Sequence, residues 1–586
     1  MNMNDLQRSI LIISIALVAL LCTLILRTTD NLGEKVPVPE EEFRFDSSNA
    51  CKKAQQLATL FPDRGTGTEG SRAAAEWLEA EMKGLGLKTE QQEFDAWIAG
   101  EQVTGRNVIG IDKGIRDEAV IVVAHYDIPF HVKQGAMDDA SGVGVVLELA
   151  RIFARRKQIK TLIFIASDAE EWGMLGARHY VRDVPEKGKI RAAISLDYVR
   201  LEKSNTIYLR GVGQFRGQTP LWLWMLAEDC ISAAGGEPKS PNPLDQYIFR
   251  AVDISSTDQG PFLRWGIPAI NFGGNMSESP LARRVYHTTL DTSENLRPEL
   301  FTVVGRSTEL MVRTLDRLDY STDNNQYYLR MEKRTYVSRR GLYTLQILLF
   351  IPLLLATGFQ YSNLMKRKDF VREALAELGN IALFLLPWII ALFALYLLVW
   401  RNVIPRYELY PATPLDPFLK MTHWKALGGI ASACAAAWVA VVLVRHYFPF
   451  AKTPDFASSK AVCLDVLLTF SIIALVLNGF AASLFLAPAA LLWGWIESGR
   501  GAGRISLNIL LVFAAAIPLI LLIITFAKQL NLGLYVGWYM LLGAGYGLFS
   551  PVAIIIAFGT GVIGVRLVQQ SFATQADSTE PETEKE

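Results

Sequence analysis

Residues 119–127 read AVIVVAHYD, and residues 161–173 read TLIFIASDAEEWG. Each begins with six mostly apolar residues and stops at a cluster of ionisable side chains. A short unbroken apolar run is the pattern of a strand buried on both faces. Between the two runs, Ser141 to Lys157 places apolar residues every three to four positions, the period of a helix packed on one side. Strand, helix, strand in that order is a crossover unit, which makes the strands parallel. Ala192 to Leu196 and Ala269 to Phe272 read as further strands, and Ser71 to Lys83 as a helix ending at Gly84. Residues 47–318 are therefore expected to form an α/β domain, a mostly parallel sheet flanked by helices.

The ionisable clusters lie where such a fold binds ligands. His125-Tyr126-Asp127, Asp168 to Glu171, and Asp197 each follow the C-terminal end of an expected strand. Open α/β sheets take their ligands in the crevice beyond those ends. Asp138, in Met137-Asp138-Asp139-Ala140-Ser141-Gly142, sits in a small-residue turn that opens the following helix, and His287 lies in Tyr286-His287-Thr288-Thr289. His125, Asp138, Glu171, Asp197 and His287 supply two imidazoles and three carboxylates. That set suits two Zn2+ ions per chain if one carboxylate bridges them, and Asp138 is placed to lean between two metals. Asp127, two residues after His125 and on the same side of a strand end, is the expected carboxylate holding the other ring nitrogen. Glu170 is the expected general base and Tyr286 a donor to a developing oxyanion. Taken singly, each residue is ordinary. Asp138-Asp139 before Ala-Ser-Gly resembles a helix cap, and Glu170-Glu171 a solvated turn. Their joint occurrence carries the reading. His131 and His179 have no motif around them and are not taken as ligands.

The block resembles the zinc aminopeptidase family M28. The resemblance rests on His125-Tyr126-Asp127, Gly135 to Gly142, Glu170-Glu171-Trp172-Gly173, Leu196-Asp197 and Tyr286 to Thr292, in the family's order. Phe61-Pro62-Asp63-Arg64 with Gly65 to Gly70 resembles its opening segment, and Thr257 to Phe262 with Gly266 to Ala269 its closing one. It implies a zinc exopeptidase fold and hydrolysis of peptides from the N-terminus. It also implies that His125 and Asp197 bind one zinc, Glu171 and His287 the other, that Asp138 bridges, and that Glu170 is the base. Gln259 and Asp139 depart from the pattern, standing where His and Asn are common. The whole architecture resembles the multi-spanning members of the endoplasmic reticulum and vacuole and their bacterial homologues. Alternatives of other classes are a catalytically silent scaffold domain, another amidohydrolase on the same fold, and a transporter with an accessory domain.

The chain has 586 residues, 51% of them hydrophobic, and 58 basic against 58 acidic side chains. Balanced charge gives no general attraction to nucleic acid. The apolar excess is concentrated. Ile10 to Leu26 reads as an uncleaved anchor within residues 1–30, followed by a stiff linker over 31–46 that includes Pro37 to Glu42. After a basic linker at 319–340, residues 341–570 form an all-α polytopic membrane domain. Its eight runs lie near 341–359, 381–400, 426–444, 461–479, 481–496, 505–526, 533–549 and 551–568, giving nine spans with the anchor. Residues 571–586 read as an acidic disordered tail. The bilayer and peptide substrates are the expected partners, with self-association through the membrane domain.

Lys366, Arg367, Lys368 and Arg372, then Arg445, Lys452 and Lys460, then Arg500 and Arg504, fall in alternate loops. They mark one face as cytoplasmic and put the peptidase domain on the other. Arg330 to Arg340 contradicts that rule. The tail lies outside with nine spans and inside with eight. Few charges lie within the apolar runs; Asp465 and Asn478 are the polar residues singled out there. Cys51 and Cys230 are the only cysteines outside apolar runs, and the sequence leaves a disulfide between them open.

Overall fold

The computed structural model describes residues 3–31, 42–98, 101–198, 205–274, 279–317, 325–331, 334–404, 422–447, 454–499, 501–529 and 532–573. Pro37 to Glu41, Lys333, Lys452, Arg500 and the tail beyond 573 lie outside them. The described residues divide into two compact units, one from residues 30–336 and one from the residues before 30 and after 336.

The first unit is built on an eight-stranded sheet. In chain order its strands are β1 (Lys88–Ile98), β2 (Glu101–Asp112), β3 (Arg116–His125), β4 (Lys160–Ser167), β5 (Ile190–Asp197), β6 (Thr206–Arg210), β7 (Glu237–Lys239) and β8 (Ala269–Gly273). Their order across the sheet is β1-β2-β4-β3-β5-β8-β6-β7. The four strands read from the sequence, β4, β3, β5 and β8, are the parallel centre. The edges turn the sheet mixed. β1 and β2 form an antiparallel hairpin added antiparallel to β4, and β6 runs antiparallel to β8. These edges escaped the sequence reading because a strand such as KTEQQEFDAWI is polar and half exposed, with no apolar run to mark it.

Alternation along β3 serves two cores. Val120, Val122 and Ala124 face one with the helices Ser47–Leu60, Ser141–Phe153 and Thr302–Arg317; Ile121 and Val123 face the other with the helix Leu175–Asp183. Burial on both faces is why β3 reads as a continuous apolar run. Register levels the strand ends: His125 lies beside Ser167, and Asp197 beside Gly273. Cys51 and Cys230 are buried and unbridged.

Two features of this unit bear on the basic stretch after residue 318. Arg330 is paired with Glu228, and Arg334 with Asp229 at 2.7 Å. Asp30–Asn31 pairs antiparallel with Thr335–Tyr336 in a small three-stranded sheet with Leu329–Arg330. Arg330 and Arg334 are thus neutralised within the unit.

The second unit has seven helices, among the described residues, long and apolar enough to span a membrane: 8–27, 339–362, 370–400, 424–447, 456–477, 502–528 and 551–572. Two of the nine runs read from the sequence are not helices of that length. The run at 533–549 contains only the ten-residue helix Val536–Gly545. The run at 481–496 is a shorter apolar helix, Gly479–Trp495, interrupted by a wide turn at Ala482–Leu486 and a tight one at Trp493–Trp495. Charge is also less scarce than expected. Glu377, Lys460 and Arg566 are buried, each at or just beyond the end of an apolar run. Arg566 donates to both Glu377 oxygens, at 2.9 and 2.6 Å. Lys460 donates to the carbonyls of Gly494 and Ile496, both at 2.7 Å. Asp465 accepts from Tyr361 at 3.3 Å, and Asn478 caps the amides of Phe480 and Ala481.

The helix behind Asp138, Ser141–Phe153, packs on Ser47–Leu60 through Gly144, where a Cβ would stand 2.4 Å from the Ala50 carbonyl oxygen. Helix propensity alone favours Gly144→Ala by about 1 kcal/mol. A backbone contact that cannot yield outweighs it, and overpacking costs about 1–3 kcal/mol. Gly144→Ala is therefore expected to lower the thermal midpoint of the purified protein, and a raised midpoint would contradict the packing argument.

Candidate metal centre

Every ionisable cluster picked from the sequence lies at the carboxyl ends of the parallel strands. His125 closes β3, Asp197 closes β5, and Glu170 and Glu171 occupy the turn after β4. Asp138 comes from the loop leading into the helix Ser141–Phe153. His287 follows the helix Pro280–Val285 with a left-handed backbone, φ 53°. Four loops from distant parts of the chain thus meet at one spot because the strand ends are level.

His125, Asp138 and Asp197 form one triad, and Asp138, Glu171 and His287 another; within each, the donor atoms lie within 4.8 Å of one another. Asp138 belongs to both. Its Oδ1 is 3.3 Å from His125 Nε2, and its Oδ2 is 3.1 Å from His287 Nε2. His287 Nε2 is also 3.0 Å from Glu171 Oε1. Glu170 stands beside the pair with its Oε2 3.9 Å from His125 Nε2.

The electrostatics are those of an anionic cluster out of water. Burial pushes the Asp197 carboxyl up to about 7, with Asp138 adding and Arg210 opposing. Burial also raises Glu170 well above the carboxylate range, against the pull of His125. Burial alone would depress His287, but Glu171 and Asp138 outweigh it and lift the imidazole to about 10. Four carboxylates and two imidazoles so close together are costly unless cations neutralise them. Two nitrogens and three carboxylates, split into triads with a shared oxygen pair, match the donor chemistry of zinc.

Neighbouring groups fix these side chains. Asp127 does more than the sequence suggested. Its Oδ1 and Oδ2 accept from the amides of Glu170 and Glu171 at 2.9 and 3.2 Å, while its contact to His125 Nδ1 is 3.4 Å. It therefore ties the β4 turn to β3. Asp168 accepts from Thr66, Tyr126 and the Arg106 amide. Ser167 donates to Asp258 at 2.5 Å. Arg210, 3.9 Å from Asp197, donates to Asn271 and Gly274. Asp139 caps the Gly142 amide at 2.8 Å. Arg64, Asp258 and Asp291 lie in segments that carry the family resemblance, but sequence reading gave them no role at the centre, and it missed Arg210, whose segment has no chemical signature of its own.

Tyr286 stacks on His287 with ring centroids 3.7 Å apart. Burial, then Asp138 and Glu171, hold its hydroxyl well above its usual value, so it stays a protonated donor. His131 Nε2 donates to the His287 carbonyl at 3.0 Å, and His179 stacks on Phe94; neither belongs to a triad. Gln259 donates to the Val212 carbonyl and to Ser255 Oγ, and belongs to neither triad.

Residues 107–311 match the sequence profile of peptidase family M28. Aminopeptidase YwaD of Bacillus subtilis is 33% identical over 210 residues, 34% of this chain and 43% of that one. A probable zinc metalloprotease of Pyrenophora teres f. teres is 30% identical over 221 residues, 34% of this chain and 46% of that one. A solved zinc aminopeptidase from Bacillus subtilis superposes with a TM-score of 0.41 at 19% identity, covering 49% of this chain and 99% of that one. The match to these curated relatives spans about half of their length. The segment that matches peptidase family M28, residues 107–311, is the one that contains both triads.

Proposed function

We propose that the chain is a membrane-anchored exopeptidase with two zinc ions, an aminopeptidase that removes N-terminal residues of peptides on the non-cytoplasmic side. The observation that carries this is Asp138, whose two oxygens face different histidines in two triads. One triad would hold an ion through His125 and Asp197, the other through Glu171 and His287, with Asp138 shared. Bound zinc supplies a Lewis acid and lowers the pKa of coordinated water. The protein supplies the rest. Glu170, raised by burial, takes a proton from the attacking water at its carboxylate and returns it to the leaving amine. The Tyr286 hydroxyl donates to the oxygen that becomes negative. Asp127 keeps Glu170 and Glu171 in register with His125.

Hydrolysis of a panel of aminoacyl-aminomethylcoumarins by detergent-purified protein tests the reading. Activity is expected with zinc, lost on chelation and restored by zinc. Glu170→Gln is expected to lower kcat by roughly 10²–10⁴-fold with zinc retained. Zinc bound without any activity on the panel would favour a different amide substrate or a silent domain. Absence of both zinc and activity would refute the enzyme reading.

The ligands must shed protons to bind metal. His287 is held up to about 10 and Asp197 up to about 7, so before zinc arrives His287 carries a proton at neutral pH and Asp197 gains one as the pH falls below neutral. Protons therefore compete with zinc, and affinity rises with pH. Chelator competition between roughly pH 5 and 8 should show weaker zinc binding toward the acid end. Affinity independent of pH would contradict the assignment of these groups as ligands.

Sidedness is supported by pairs that tie one end of the second unit together. Arg8 meets Glu497 at 2.7 Å, Arg367 meets Asp455 at 2.6 Å, and Ser458 donates to Glu373 at 2.5 Å. Lys460 reaches Gly494 and Ile496, and Arg566 reaches Glu377. For Glu497 to share a face with Arg8 and Lys460, Gly479–Trp495 must recross the bilayer. For Arg566 to share one with Glu377, Val536–Gly545 must not cross. Eight crossings follow, with both ends of the described chain on the face bearing Lys366, Arg367, Lys368, Arg372, Arg445, Lys460 and Arg504, the cytoplasmic one. Residues 30–336 then lie on the other. In sealed vesicles of known orientation, Ile115→Cys and Gly501→Cys should react with an impermeant maleimide from opposite sides. Labelling from the same side would overturn the topology.

A further inference from the structure

Arg64 is fully buried, among the largest side chains in the protein with no exposure. Its guanidinium is the meeting point of two segments that carry metal-type ligands. Nε donates to the Tyr126 carbonyl at 2.5 Å, between His125 and Asp127. Nη2 donates to the Gly135 carbonyl at 2.8 Å, and Nη1 to that of Gln134, in the loop that leads to Asp138. Around it stand the carboxylates of Asp291, Asp127, Asp139 and Asp138. Gly135 leaves no room for a side chain at this point. A Cβ there would lie 3.2 Å from Arg64 Nη2 and 2.2 Å from Ile128 Cγ2.

The far side of the same loop is held from the His287 segment. Asp291 accepts from the Met137 amide at 2.7 Å and the Asp138 amide at 3.1 Å. The Ser293 amide donates to Gln134 at 2.7 Å. The backbone leading into Asp138 is thus gripped at residues 134–135 by a cation and at 137–138 by an anion, and these grips reach back to the strand of His125 and the loop of His287.

We propose that Arg64, with Asp291 as its counterpart, is a positioning residue for the metal centre. It sets the separation of His125 and Asp138 before any ion binds. Only a guanidinium can serve, because a planar fork reaches carbonyls on two segments at once and an ammonium is a point charge. Neither residue touches the reacting atoms. Their effect is preorganisation, which acts on metal affinity. This rests on the metal-centre reading above.

The test measures zinc affinity of the full-length protein in detergent by chelator competition, alongside the thermal midpoint of the zinc-free protein. Arg64→Lys is expected to weaken zinc binding roughly 10–100-fold, the range for residues that orient ligands. Excess zinc should restore most of its kcat, with the zinc-free midpoint near that of the unmodified protein. Asp291→Asn, close in shape, is expected to move affinity in the same direction and decides the matter if Arg64→Lys fails to accumulate. Unmodified protein that binds zinc while both variants bind it equally well would overturn this inference and leave the metal-centre reading intact. The same follows if the variants melt lower but bind zinc normally. Unmodified protein that binds no zinc would overturn both.

Discussion

Asp138, Glu170, Glu171 and Asp197 bring four carboxylates into a space largely closed to water, and their mutual repulsion must be offset for the sheet ends to stay together. His125 and His287 offset part of it, and Arg210 and Arg64 contribute fixed positive charge from either flank. Much of the surrounding structure answers to this constraint. Asp127 uses both oxygens on the amides of Glu170 and Glu171, so the turn after β4 cannot swing its carboxylates apart. A site held this firmly before metal arrives loses little freedom on binding it.

Level strand ends make the convergence possible. In a parallel centre all C-terminal ends lie at one edge, so residues 125, 170, 171 and 197 come together with no need for long loops. Antiparallel strands at both margins widen the sheet without placing any triad ligand. The hairpin of β1 and β2 closes one flank near Trp172 through Phe94, Ala96 and Ile98.

The membrane unit meets the same physics in another solvent. Buried charge in hydrocarbon is tolerated where it is paired or bonded to backbone. Arg566 and Glu377 satisfy one another, Ser459 adds a third contact at 3.2 Å, and Lys460 caps carbonyls freed where Gly479–Trp495 ends in a tight turn. The break at Asn478 is tolerated because the following segment is packed inside the bundle, with Ala482, Ala489, Ala490 and Trp493 buried.

The sequence by itself determined the four central strands, the helix behind Asp138 and the identities of the side chains that gather at the strand ends. Those features are local: an apolar run, a helical period, a motif of adjacent ionisable residues. It did not determine the polar edge strands, whose partners lie across the sheet, nor the number of membrane crossings, since two apolar runs of similar length differ only in what they pack against. The second use of Asp127 and the places of Arg64 and Asp291 beside the Asp138 loop were decided by tertiary structure. The amides that Asp127 binds are 43 and 44 residues away in the chain, and the partners of Arg64 and Asp291 62 to 154, and a distance of 3 Å between such groups has no trace in local pattern.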